Sequence, residues 1–423
     1  MNEKINVNIT SEFGELEAVI IHTPGLEVEE MTPQTAKRAL YSDILNLSVA
    51  RQEYNQLKGI LTRVCHCLEV TDLLSDILKN ENVKNMLLAD ICAQENAIDI
   101  LPGLSELKAP ELARQLIQGV PINRNNLTRY LSHERFSLWP LHNFLFTRDS
   151  AMACRNEMII GEMANRVRAR EARIMNAIFN HHPLLQSNTV NPQKSGKNVT
   201  EKPLSIEGGD FLMAREDIVI IGTGTRTSTE GIDFILENIK ANKEKTQHIL
   251  IQELPESPES FIHLDMVFTL LDRDTCMVYE PLIMRTSRHH TIHMQVEGGE
   301  VTGISEEENL LKGLKKLNMD LKPLYCGGRK DLWIQEREQW HSGANFFAIA
   351  PGQVIGYERN VNTVEELSQN GFEVIKAKDI IDGNAALPEN SQCVVTIAGS
   401  ELARGGGGAR CMTMPFRRKG IEW

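Results

Sequence analysis

The chain has 423 residues, 41% of them hydrophobic and 24% charged, and a formal net charge of −12. That composition is globular, and the negative balance argues against a nucleic-acid partner. No uncharged apolar run is long enough for a membrane helix, and the first twenty residues lack the apolar core and cleavage site of a signal peptide.

In chain order, Glu17-Ala-Val-Ile-Ile reads as a strand. Residues 33–132 read as a helical insertion: Asp72-Leu-Leu-Ser-Asp-Ile-Leu and Glu111-Leu-Ala-Arg-Gln-Leu-Ile have helical apolar spacing, interrupted by Gly119 and Pro121. On either side, at 1–32 and 133–423, lies the catalytic domain. There a unit recurs: a polar residue, an apolar run, a tight turn, a second run, a helix and often a third run. One copy starts at Asp149, turns near Arg155-Asn-Glu and continues through Met158-Ile-Ile to a helix from about Arg168 to Asn180. The clearest copy follows Gly209, with Phe211-Leu-Met-Ala, a turn at Arg215-Glu-Asp, Ile218-Val-Ile-Ile, a helix over about Ser228 to Asn242, and His248-Ile-Leu-Ile. Another starts at His263-Leu-Asp265 and turns at Asp272-Arg-Asp before Cys276-Met-Val-Tyr. The next starts at Asn345, turns at Pro351-Gly352, carries a helix near Thr363 to Gln369 that stops at Gly371, and resumes at Phe372-Glu-Val-Ile. A fifth must be assembled from the two ends, Glu17-Ala-Val-Ile-Ile and Arg410-Cys-Met-Thr-Met. Five such units predict an α/β fold, a closed pseudo-fivefold propeller that brings the unit starts Asp149, Glu207, His263, Asp265, Asn345 and Cys411 to one axis.

The candidate nucleophile is Cys411, after four glycines and beside Arg404 and Arg410, whose charges would favour a thiolate if they lie close. The other seven cysteines, at 65, 67, 92, 154, 276, 326 and 393, read as reduced thiols of a cytoplasmic protein rather than a disulfide framework. His263 and Asp265, two apart in an extended segment, would share a face and form a proton-transfer pair. Asp149 and Glu207 add carboxylates, and Phe146 a flat apolar face. Together they suit a planar guanidinium, with its five donors. Taken singly, each motif is as well explained by a turn or a buried strand end. His289-His290 with His293 reads as a loop, Cys65-His66-Cys67 is too tightly spaced for a zinc knuckle, and Gly222-Thr-Gly224 lacks the third glycine of a dinucleotide site.

Phe146-Thr-Arg-Asp149, Glu207-Gly-Gly-Asp210, His263-Leu-Asp265 and Cys411-Met-Thr-Met-Pro415 occur in the order found in arginine deiminases, and the chain resembles that family from Ser11-Glu-Phe-Gly-Glu-Leu to the final tryptophan, insertion included. The resemblance implies a pentein propeller without metal or organic cofactor, hydrolysing free L-arginine to citrulline and ammonia. It implies Cys411 as nucleophile, His263 as acid and base, and Asp149, Glu207 and Asp265 as guanidinium partners. It assigns Arg168 and Arg226 to the substrate carboxylate and Asn143, Phe146 and Asn345 to the pocket. It also implies a homo-oligomer, a dimer or larger. Ser150, Met266 and Thr225 stand where the family usually has proline, threonine and glutamate. Other readings are a deiminase or hydrolase of agmatine or methylated arginine, an amidinotransferase, or a catalytically silent arginine-binding scaffold.

Overall fold

The computed structural model describes residues 4–194, 203–241, 243–285, 288–389 and 391–423. Five of its sheets share one local plan: an antiparallel pair, one strand of which has a parallel neighbour reached by a helical crossover. Ala151–Cys154 pairs antiparallel with Glu157–Ile160, which runs parallel to Asn188–Val190. Phe211–Arg215, Ile218–Thr223 and Gln247–Glu253 repeat the plan, as do Phe268–Leu270, Thr275–Val278 and Lys322–Tyr325. So do Phe347–Ala350, Gln353–Tyr357 and Cys393–Ile397. The chain ends supply the fifth sheet, where Met414–Arg418 pairs antiparallel with Leu16–Ile21 and Leu16–Ile21 parallel with His66–Glu69.

The helices follow from apolar spacing and caps. Leu47–Val64 buries Leu47, Ala50, Tyr54, Leu57, Ile60 and Leu61, a stripe at steps of three and four. Its N-cap, Asn46, accepts from the amides of Ser48 and Val49 through its side chain. Thr229–Lys240 is capped by Ser228; the expected end of that helix, Asn242, lies outside the described residues. Ala169–His181 matches the expected helix to within a residue. Val361–Gln369 ends before Gly371, whose φ of +98° is the left-handed turn that only glycine adopts cheaply.

Three expectations change. Residues 33–132 are mostly helical, yet His66–Glu69 is a strand of the end-joining sheet, so the crossover helix Leu47–Val64 belongs to that repeat. The strand Glu373–Lys376 does not complete its repeat directly: Cys393–Ile397 enters between, and the earlier strand becomes the edge. His293 lies in Thr291–Glu297, which with Glu300–Glu307 adds a hairpin to the sheet of Gln247–Glu253. The added hairpin places the His293 ring against His248, Nε2 to Nδ1 at 3.0 Å. Helices Val70–Ile77 and Glu81–Gln94 pack on Ala169–His181, and their leucines and isoleucines join one apolar cluster with Met158, Ile159 and Ile178.

Candidate active site

Each of the five first strands is entered through a segment that carries a site residue. Thr147–Ser150, Gly208–Asp210 and Leu264–Met266 are single 3-10 turns leading into Ala151–Cys154, Phe211–Arg215 and, after Val267, Phe268–Leu270. They bring Asp149, Glu207 as N-cap of its turn, and His263 with Asp265. Asn345 precedes Phe347–Ala350, and Cys411 precedes Met414–Arg418. Residues far apart in sequence meet here; Arg148 Nε donates to the carbonyl of Arg410, 262 positions away, at 3.2 Å.

His263 is the centre of the charge network. Its Nε2 stands 2.9 Å from Glu207 Oε2, and its Nδ1 is 3.7 Å from Asp149 Oδ1. Burial opposes the imidazolium, but Asp149 and the hydrogen bond to Glu207 outweigh it and raise the pKa to about 9. Burial also opposes the Glu207 carboxylate, which His263, Arg226 and Arg168 nevertheless hold down at about 2. Gly209 makes room for the imidazole: a Cβ there would stand 2.5 Å from the His263 ring. Asp210 Oδ1 accepts from the Leu264 amide at 2.9 Å and fixes the segment that carries His263.

Cys411 Sγ lies 3.7 Å from Asp265 Oδ2 and 3.9 Å from Met266 Sδ. Burial, then Asp265 and Asp149, push its thiol well above the ordinary range. Of the two flanking arginines only Arg410 favours the thiolate, and burial with the two acids outweighs it. Arg410 turns away to Glu12 at 2.9 Å and Asp265 at 2.8 Å, and Arg404 pairs with Asp43 and Glu401 at the surface. Both arginines therefore satisfy carboxylates, and the sulfur faces a net negative surround. The backbone amides of Arg410 and Cys411 donate to Asn345 Oδ1 at 2.9 and 3.2 Å.

A cavity of about 620 Å³ opens onto this cluster, bordered by Asn143, Phe146, Asp149, Arg168, Arg226, His263 and Cys411. Thr225 and Met266 also border it, as do residues 40–43 and the glycine segment 405–407. Glu207, Asp265 and Asn345 stand behind the wall, fully or almost fully buried. Asn345 thus holds the cysteine segment rather than the cavity. Arg168 is also more occupied than expected: its Nη1 is 2.7 Å from Asp149 Oδ2 and its Nη2 2.8 Å from Glu171 Oε2. Arg226 is freer, with Nη1 3.7 Å from Glu207 Oε1 but buried without a hydrogen-bond partner. Ser150 points its hydroxyl at the Thr147 carbonyl, 3.2 Å away. Asp149, Glu207 and His263 have ligand atoms close enough to hold a metal ion. Arg168 Nη1, 2.7 Å from Asp149 and 3.7 Å from Glu207, supplies positive charge beside that position and disfavours a cation there.

Sequence reasoning missed Glu12, Glu171 and the role of Asp210. Glu12 and Asp210 lie inside quoted motifs, but nothing in a motif says that a carboxylate will meet Arg410 or a backbone amide.

Solved structures with this architecture place the chain in a class. It is similar to SxtG, an amidinotransferase from Microseira wollei, at a TM-score of 0.51 and 14% identity, covering 98% of each chain. It is similar to the product-bound N-terminal domain of ArgZ, an arginine dihydrolase from cyanobacteria, at 0.52 and 11%, covering 96% of this chain and 98% of that one. It is also similar to DDAH from Pseudomonas aeruginosa complexed with citrulline, at 0.50 and 12%, covering 95% and 100%. These define an α/β protein of the pentein fold.

Sequence relatives narrow the class. The arginine deiminase of Listeria monocytogenes serotype 4b (strain CLIP80459) is 31% identical over 98% of both chains. That of Bacillus thuringiensis subsp. konkukian (strain 97-27) is 31% identical over 98% of this chain and 99% of its own. The family profile described as arginine deiminase matches residues 37–418, and the chain belongs to that family.

Proposed function

We propose that this enzyme hydrolyses free L-arginine to L-citrulline and ammonia through a covalent intermediate on Cys411. The observation that carries the reading is the single cavity bordered by a thiol, a carboxylate-paired histidine and two arginines. Asp149, whose Oδ1 has no hydrogen-bond partner, offers an acceptor for a guanidinium at the cavity, Asp265 stands behind Cys411, and Phe146 gives an apolar wall.

The steps follow from the charges. In the empty site the Cys411 thiol keeps its proton, because burial and two acids oppose the thiolate. A bound guanidinium brings a positive charge between those acids and the sulfur, and the thiol proton passes to solvent water, His263 being already protonated. The thiolate attacks the guanidinium carbon, forming a C–S bond. The C–N bond to one terminal nitrogen breaks, and that nitrogen departs as ammonia with a proton from His263, which at neutral pH is imidazolium. The product is an S-alkylthiouronium. Neutral His263 then takes a proton from water, the hydroxide adds to the same carbon, the C–S bond breaks with the hydroxyl proton passing to the departing sulfur, and citrulline is released with the Cys411 thiol and the His263 imidazolium restored. Glu207 holds Nε2, leaving Nδ1 on the Asp149 side for these transfers.

Arg226, with its unpartnered buried Nη1, is the better placed cation for the substrate carboxylate. Arg168 would contribute by exchanging one of its present partners, Asp149 or Glu171. Asn143 engages the Ala39 carbonyl at 2.7 Å and supports the wall beside them.

The same reading includes a closed ring of five repeats, with residues 33–132, less their strand and its crossover, as the helical insertion. It includes a cytoplasmic homo-oligomer without metal or cofactor. No described helix is long and apolar enough to cross a membrane.

The test is citrulline and ammonia release from L-arginine and from agmatine, with Cys411→Ala as control. Release from arginine alone, lost in the variant, supports both the chemistry and the carboxylate recognition. Release from agmatine at an equal rate moves the reading to another guanidino substrate. No release from either by folded protein leaves a silent scaffold.

A further inference from the structure

A second cavity, about 280 Å³, adjoins the first and is bordered by Arg38, Arg166, Arg170, Glu95, Trp139 and His142 among others. Three guanidinium groups border it against one carboxylate, and burial lowers the His142 pKa, so that ring adds no positive charge near neutral pH. Glu134 pairs with Arg38 at 3.4 Å but is not part of the lining. The lining thus carries more positive than negative groups in a protein whose overall charge is negative, with Glu134 acting on Arg38 and Glu171 on Arg170 from outside it.

Arg170 is the decisive group. Its side chain is 2% exposed. Its Nη2 donates to the Trp139 carbonyl, whereas Nε and Nη1 have no hydrogen-bond partner. Glu95 Oε1 stands 3.4 Å from Nε, an ion pair out of hydrogen-bond geometry. A buried charged donor left unmatched is costly, so a native structure normally supplies an acceptor. Arg38 lies over the Trp139 ring, 3.8 Å from its centroid, and Arg166 reaches the Gln94 carbonyl. Both are exposed enough to meet an arriving ion.

We propose that this cavity binds a small tetrahedral oxyanion of the phosphate class, held by the unpartnered Nη1 of Arg170 and by the guanidinium groups of Arg38 and Arg166. A guanidinium presents parallel N–H donors that match two oxygens of one anion. With a water occupying about 30 Å³ of liquid, the volume takes a phosphate with several waters. The site adjoins the active site through the chain itself. Val167 precedes Arg168, His142 precedes Asn143, and Ala39, whose carbonyl accepts from Asn143 Nδ2 at 2.7 Å, precedes Leu40.

The experiment is calorimetric titration of the full chain with inorganic phosphate at constant ionic strength in chloride. One saturable equivalent is expected. Arg38→Ala with Arg166→Ala should weaken binding about tenfold or more, the loss of one or two charge-assisted contacts. That variant should release citrulline from arginine within about twofold of the parent, since neither residue borders the reacting groups. Arg170→Met should remove binding; because Arg170 is buried, its circular dichroism is compared with the parent first. Arg226→Ala should leave phosphate binding intact, which separates this site from the active-site arginines. Unsaturable binding, binding that survives loss of both exposed arginines, binding lost with Arg226→Ala, or equal competition by acetate would overturn the proposal.

Discussion

Two histidines in this molecule have nearly the same surroundings and different work. His263 is buried against Glu207 and Asp149, with oxygen distances of 2.9 and 3.7 Å. His22 is buried against Glu27 and Glu69, at 3.1 and 3.4 Å. Burial opposes the charge of each, and the paired carboxylates win, raising His263 to about 9 and His22 to about 10. Only His263 borders the cavity that also exposes a thiol. His22 is enclosed by Tyr54, Phe144 and the Glu69 network, where Glu69 also accepts from Thr23 and Lys58. A perturbed imidazole is therefore not evidence of catalysis by itself; access to a reacting atom decides.

The comparison breaks if the two positions respond alike to substitution. His263→Asn should lower kcat for arginine by about 10³-fold in the folded fraction, the general acid–base contribution, and should also lower the melting temperature, because Glu207 and Asp149 lose the imidazolium between them. Citrulline release and a thermal melt on the same preparation check both halves. His22→Asn should share the stability loss and spare the turnover. It strands Glu27 and Glu69 without their shared cation and should cost about 3–5 kcal/mol of stability, read by urea unfolding, while kcat of the folded fraction stays within about twofold.

The pH dependence sharpens the same contrast. Because the folded-state pKa of His22 is raised from 6.5 to about 10, its contribution is complete below pH 6.5 and is lost as pH rises toward 10. His263 acts in the same direction between 6.5 and about 9. The urea midpoint should therefore fall from pH 6.5 to pH 10, and the fall should be shallower in His22→Asn. A fall of equal size in that variant would remove His22 from the account.

Gly209→Ala should lower kcat by about ten- to a hundredfold and also lower stability, because the added methyl would stand 2.5 Å from the His263 ring and 2.9 Å from its Cβ, so the ring or the backbone must move. No comparable glycine presses on the ring of His22 among the described residues. The smallest effect belongs to Arg404→Ala. Its pairs with Asp43 and Glu401 are at the surface, and the loss should be below about 1 kcal/mol in urea unfolding and should shrink further in salt.

Much of this protein was legible before folding. The period of apolar runs and turn residues located four hairpins, because alternation and tight-turn chemistry are local, and the fifth antiparallel pair was read from the two chain ends. The ordered motifs around Asp149, Glu207, His263 and Cys411 marked the site, because a guanidinium needs acids, a nucleophile and a proton carrier whatever scaffold holds them. What the sequence could not carry was partner choice. Arg410 neighbours the nucleophile in the chain, yet its charge goes to Glu12 and Asp265. Arg168 looks like a free cation and is tied to Asp149 and Glu171. Asn345 looks like a pocket residue and instead holds the amides of Arg410 and Cys411. His66–Glu69 sits in a helical stretch but finds an open strand edge on Leu16–Ile21. Such pairings are set by which groups tertiary packing brings within about 4 Å in a low dielectric, where a buried charge must find the opposite charge or a donor. Composition and spacing determine which groups are available; only the folded chain decides which of them meet.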